Sequence, residues 1–208
     1  MADDDTLTTR DRLLDAAARL FLEKGADQVS IRAINAEAGL NPGAAHYHFG
    51  SREGLVSALL ERELAPLWAD RMEVIARRFQ AGGDEGAPFE MADLVAALAE
   101  PFEELSRTEK GRMLCHLLAR SALATRRLPA VSIWFGPAPF EVILGRAMPE
   151  LTVREVAERW RLAFTLLLEV YGRSPAPAPA APATFPETRT VVAFITAGLT
   201  APARPGAR

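Results

Sequence analysis

The stretch AEAGLNPGAAHYHFGSREGL, Ala36–Leu55, decides how this chain is read. Ser30 reads as the N-cap of a helix over IRAINAEA, with Ile31, Ile34 and Ala38 facing inward. Gly39 ends that helix, because a residue there needs the positive φ that glycine adopts freely. Asn41 reads as the next N-cap, and Pro42 sits at the first helical position, where a missing N–H costs little. PGAAHYHF is then a short helix, and Ser51 caps a further one that opens with SREG. Two short helices joined by a tight turn at Gly39-Leu40-Asn41 are the pattern of a helix-turn-helix. The second is about two turns long, too short to persist alone, so the helices on either side must hold it.

The chain has three histidines, and two of them, His46 and His48, flank Tyr47 in this helix. Residues two apart on a helix point about 200° apart, so the pair cannot share a metal ion. No nearby cysteine or third histidine completes a ligand set. As acid–base residues they would need a nucleophile or carboxylate partner in a pocket, and a solvent-facing helix offers none. Contact with another molecule is the reading left.

Working outward, Leu13, Leu14, Ala17, Leu20 and Phe21 make one apolar stripe of a helix over Thr9–Lys24, stopped by Gly25. The fourth helix is expected to run past Pro66, with a break or kink there, towards Phe79. QAGGDEGAP is a loop. Later helical patterns cover about Met91–Leu105, Lys110–Thr125, Ala138–Met148, Val153–Tyr171 and Glu187–Leu199. The Pro/Ala stretch 174–186 is a stiff extended linker, and the tail 201–208 is expected to be disordered. The fold class is therefore all-α. A three-helix helix-turn-helix domain, 1–60, is followed by a helical bundle, 61–208.

Composition agrees. Hydrophobic residues make up 49% and charged residues 25% of 208, enough to bury a core. A net charge of −3 gives no global signal for nucleic acid. One cysteine, Cys115, excludes an internal disulfide framework. The acidic start MADDDTLTTR lacks the apolar segment of a signal peptide, and no apolar run is long enough to span a membrane, so a cytoplasmic protein is expected.

The run from about Thr9 to Leu60 resembles the DNA-binding domain of TetR/AcrR-type bacterial transcription regulators. Ala17, Leu20, Phe21 and Gly25, then VSIRAINAEAGLNPGAAHYHFGSREGLV, carry the resemblance, and YHFGSREGL is its most diagnostic part. It covers roughly a quarter of the chain. It implies that Asn41, Pro42, Gly43 and Ala44 open a recognition helix and meet base edges or phosphates. His46 reaches base or phosphate, Tyr47 hydrogen-bonds a phosphate and His48 contacts the DNA backbone. Arg52 pairs with a phosphate, Arg32 reaches a base and Phe49 anchors the core. Ala45 and His46 depart from the larger aliphatic residue and the tyrosine usual there, which leaves the bases being read open. Residues 10–62 hold seven basic and seven acidic residues, so affinity must come from local donors and helix N-termini rather than bulk charge. Affinity should rise at mildly acidic pH if either histidine meets a phosphate.

The resemblance further implies a C-terminal domain that binds a small effector and forms a homodimer. Arg112, His116 and Arg120 share one helix face, either solvated or a polar pocket wall. Trp134, Phe135 and Phe140 surround Gly136, Pro137 and Pro139 in IWFGPAPF, which could close a cavity. Pocket lining is expected from Phe102, Met113, His116, Leu117, Arg120, Trp134 and Phe164, and suits an apolar or aromatic effector. Cys115 beside His116 is a structural cysteine, since helix neighbours diverge by about 100°. The dimer interface is expected from Val156, Trp160, Leu167, Tyr171, Val191, Phe194 and Ile195, as an isologous four-helix pairing. Two recognition helices so related would read half-sites of a pseudo-palindrome roughly 34–36 Å apart.

The implied protein is a one-component regulator, a repressor, whose partners are duplex DNA, itself and a small molecule, with no cofactor or metal. A constitutive DNA-binding protein whose C-terminal domain only dimerises is the alternative. The sequence has no P-loop, zinc spacing, nucleophile elbow or dinucleotide fingerprint that would favour an enzyme.

Overall fold

In the computed structural model, residues 8–80, 90–125, 138–173 and 186–203 are described. Trp134, Phe135, the loop 81–89, the Pro/Ala stretch 174–185 and the tail from 204 lie outside them. The described elements are helical, and the chain divides into two compact units, Met1–Glu63 and Leu64–Arg208.

In the first unit α1, Thr9–Lys24, is capped by Thr8, whose hydroxyl accepts from the Asp11 N–H at 3.1 Å. It buries Leu13, Leu14, Ala16, Ala17, Leu20 and Phe21 and stops at Gly25, φ +78°. A single 3-10 turn, Ala26–Gln28, leads to α2, Ile31–Glu37, capped by Ser30 through the Ala33 N–H at 3.1 Å. Gly39, at φ +65°, makes the turn into α3, Ala44–Phe49. Helix α4, Arg52–Gln80, opens after Ser51, whose hydroxyl accepts from the Gly54 N–H at 3.0 Å.

Helix α3 begins two residues later than its sequence suggests, and Pro42 and Gly43 lie in a turn. The Asn41 side chain accepts from the Gly43 N–H at 3.2 Å, and the Ala44 N–H closes a turn on the Asn41 carbonyl at 3.1 Å. The Pro42 carbonyl, which a helix starting at Pro42 would need for its first bonds, accepts instead from the Asn35 side chain. Pro66 sits inside α4 without ending it.

The second unit holds the rest of α4 with α5, Met91–Ser106, α6, Glu109–Thr125, α7, Ala138–Ala147, α8, Val153–Tyr171, and α9, Thr188–Leu199. Helix α5 packs on α6, α8 and α9, and α8 packs on α6, α7 and α9. Phe102 lies between Trp68, at 5.1 Å edge-on, and Tyr171, stacked at 5.6 Å. Trp160 stacks on Phe140 at 4.3 Å and on Phe164 at 5.9 Å. The Tyr171 hydroxyl bonds Thr188, and Arg159 donates to the carbonyls of Leu199 and Ala201, so α8 and α9 run antiparallel. The Arg159 guanidinium also reaches Pro202, which holds the first residues of a tail expected to be disordered.

These contacts reassign most of the expected dimer stripe. Val156, Trp160, Leu167, Tyr171, Val191 and Ile195 are all buried within a single chain, covered by neighbouring helices of the same unit. Phe194 differs, being 69% exposed, and Leu162 on α8 is 70% exposed.

Candidate nucleic-acid interface

Helix α3 turns Ala44 and Ala45 inward and presents His46, Tyr47 and His48 to solvent. Three consecutive residues cover about 200° of helix surface, so more than half of α3 faces out. Tyr47 is 87% exposed, and its ring meets that of His48 edge-on at 5.2 Å. Phe49 is half-buried, and the Arg10 guanidinium lies over its ring at 5.4 Å. Among the expected contacts, Asn41, Pro42, Gly43 and Arg32 are also exposed.

Two expected contacts have other work. Ala44 is buried, so its methyl packs against the domain and cannot meet a base. Arg52 turns its guanidinium back onto the loop before α2. It donates to the Val29 carbonyl at 2.5 Å and to the Ala26 carbonyl, and it lies over the Phe21 ring at 5.4 Å. A fork of donors suits two converging carbonyls, so Arg52 joins the start of α4 to the loop before α2.

What holds so short a helix is a residue that sequence reasoning passed over. Asn35 is 1% exposed, the one buried polar residue among the described core. Its amide N–H donates to the Pro42 carbonyl at 2.7 Å, and its oxygen accepts from the Ala45 N–H at 2.9 Å. Its backbone carbonyl takes the Leu40 N–H at 2.9 Å. Removing one partner from a buried bond leaves the other unsatisfied, at a cost of about 1–3 kcal/mol. The available signal was a polar residue four after Ile31 on the inward face of α2. Arg12 was missed similarly, and its guanidinium donates to the Ala38 carbonyl at 2.7 Å, closing the end of α2.

Glycine at 54 also has a local cause. A Cβ there would lie 2.1 Å from the Phe49 carbonyl oxygen, well inside contact distance. The GSREG run therefore brings the start of α4 hard against the end of α3.

In the second unit the expected pocket wall is largely packed. Phe102 and Leu117 are buried, and the His116 ring bonds the Gly172 carbonyl through Nδ1 at 3.0 Å. Met113 and Phe164 are half-buried and Arg120 is exposed. A groove of about 640 Å3 opens elsewhere, between α5 and α9, with Ala92, Ala96, Glu103, Thr188, Ala193 and Thr196 in its wall, and none of the expected residues lines it. Among the described residues no group of three or more His, Cys, Asp or Glu could hold a metal ion, and no helix is long and apolar enough to cross a membrane.

A helix-turn-helix unit is followed by a second unit whose described elements are all α-helical, a two-part fold. Residues 13–59 match the sequence profile of bacterial regulatory proteins, tetR family. It is 37% identical over 67 residues to the HTH-type transcriptional repressor KstR2 of Rhodococcus jostii, covering 32% of this chain and 33% of that one. It is 30% identical over 123 residues to the HTH-type transcriptional regulator BetI of Rhizobium meliloti, covering 53% and 59%. The chain thus spans between a third and three-fifths of these relatives' lengths. NalD, the secondary repressor of the MexAB-OprM multidrug efflux pump in Pseudomonas aeruginosa, shares the fold. It has a TM-score of 0.56 and 22% identity over 91% of this chain and 94% of that one.

Proposed function

We propose that the chain is a one-component transcription regulator that binds duplex DNA through α3. The observation that carries this is the outward His46-Tyr47-His48 face, with an almost fully exposed tyrosine, on a helix held rigidly from behind. Hydroxyl and imidazole groups there suit phosphate and base-edge contacts, and Arg32 adds a cation on the neighbouring helix. The repressors among its relatives support the same sign of action. The finer reading is a homodimer acting in the cytoplasm on a pseudo-palindromic operator and released by an apolar effector.

The dimer face we assign is the exposed apolar side of α8 and α9. Leu162 on α8 and Phe194 on α9 are large apolar side chains left exposed on two helices packed against each other. Such exposed apolar groups favour burial against a like surface. A second reading, a constitutive DNA-binding protein without effector, is favoured by the packing of Phe102 and Leu117 where a pocket wall was expected.

The test is selection of DNA by the purified chain from a random duplex pool, with Tyr47→Ala as control. We expect an enriched palindromic motif that the control loses. No enrichment at low salt would overturn the reading. Screening aromatic and aliphatic ligands for release of the selected duplex then separates the two readings.

A further inference from the structure

We propose that Asn35, which touches no DNA in this reading, is the positioning residue that sets the pose of α3 and thereby its affinity for a specific sequence. The inference rests on the DNA-binding reading above. Helix α3 has six residues, and its N-cap Gly43 supplies no side-chain bond. Its fully inward surface is two alanine methyls, Ala44 and Ala45, with Phe49 half-covered. So small an apolar footing fixes neither the rotation of the helix nor its height along its axis. Hydrogen bonds do both, because they are directional.

Asn35 supplies two of them from one planar amide. One end grips the Pro42 carbonyl just before the helix, and the other grips the Ala45 N–H inside its first turn. Two bonds on opposite ends of a rigid group define the direction in which α3 leaves the turn. Burial of the Asn35 side chain makes that choice firm, since its bond to the Ala45 N–H has no water as an alternative partner. Positions 46, 47 and 48 follow Ala45 directly, so a rotation of the first turn carries all three outward side chains with it. Sequence-specific contacts need donor and acceptor placed to a few tenths of an ångström, whereas attraction to the phosphate backbone does not. Loss of Asn35 should therefore separate the two kinds of binding.

The experiment compares the full chain with Asn35→Ala and Asn35→Asp, using the selected duplex and a scrambled duplex of equal length. Asn35→Asp keeps the acceptor for the Ala45 N–H and loses the donor to Pro42. We expect both variants to lose at least about tenfold in affinity for the selected duplex, with affinity for the scrambled duplex changed far less. Amide hydrogen exchange read on the same samples should show faster exchange at Ala45 in Asn35→Ala, with protection in α1 retained. Retained protection in α1 shows that the domain remains folded. Equal specific affinity in wild type and Asn35→Ala overturns the inference and leaves the regulator reading standing. Equal losses on both duplexes, or loss of protection throughout α1, overturn it too, because Asn35 would then serve only stability. A wild-type chain that distinguishes no duplex overturns the regulator reading itself.

Discussion

Arg52 ties the start of α4 to the loop before α2 through its guanidinium. It sits at the mouth of α4 beside the outward face of α3, where a cation reads naturally as a phosphate partner. Its donors instead converge on the carbonyls of Ala26 and Val29, at the two ends of the segment between α1 and α2. We expect Arg52→Ala to destabilise the first unit by about 2–3 kcal/mol, the range for bonds to a charged group. Arg52→Lys should recover little, since a single ammonium cannot bridge both carbonyls. Denaturant titration followed by circular dichroism measures both, and an unchanged midpoint for Arg52→Ala would return the residue to the surface. Residues whose roles depend on chain-local geometry were legible, such as Ser30, Ser51 and Gly25 at their helix ends. Asn35 and Arg52 were not, because their partners lie 7–26 residues away and spacing does not encode them.

Elements were legible where apolar periodicity was long, and α1 and α8 fall where the pattern places them. Short α3 was read two residues early, because Asn-Pro is a good helix opening only if the following carbonyl remains available. Packing between elements left no mark in the sequence at all. Helix α6 meets the end of α8 so closely that a Cβ on Gly172 would lie 2.3 Å from the Ala119 methyl and 3.1 Å from the Cys115 carbonyl. Cys115 lies on that contact, 1% exposed, and burial pushes its thiol up to about 12. At pH 8 the thiolate is then only about one part in ten thousand. We expect iodoacetamide at pH 8 to leave the native chain unlabelled and to label it fully in denaturant, as read by mass spectrometry. Rapid native labelling would mean that α6 and α8 part readily.

For the whole molecule, the sequence told which residues of α8 and α9 are apolar but not which surface covers them. Trp160, Leu167 and Tyr171 are covered by helices of their own chain, so the stripe expected between protomers is largely core. What remains outside on these two helices is Val153, Leu162, Phe194 and smaller neighbours. We expect Phe194→Arg to shift the chain from dimer to monomer in analytical ultracentrifugation with little change in helicity. A wild-type monomer at micromolar concentration would remove the homodimer, and an unshifted variant would move the interface elsewhere.

The slight footing of α3 has one more consequence. This helix is held from behind by the Asn35 amide, two alanine methyls and the half-buried Phe49, while the side chains that face outward belong to His46, Tyr47 and His48. The two sets share no side chain. Exchange of the outward three leaves the fastening untouched, so under the proposed DNA-binding role a lineage could rewrite what α3 reads one letter at a time without first having to learn to fold again.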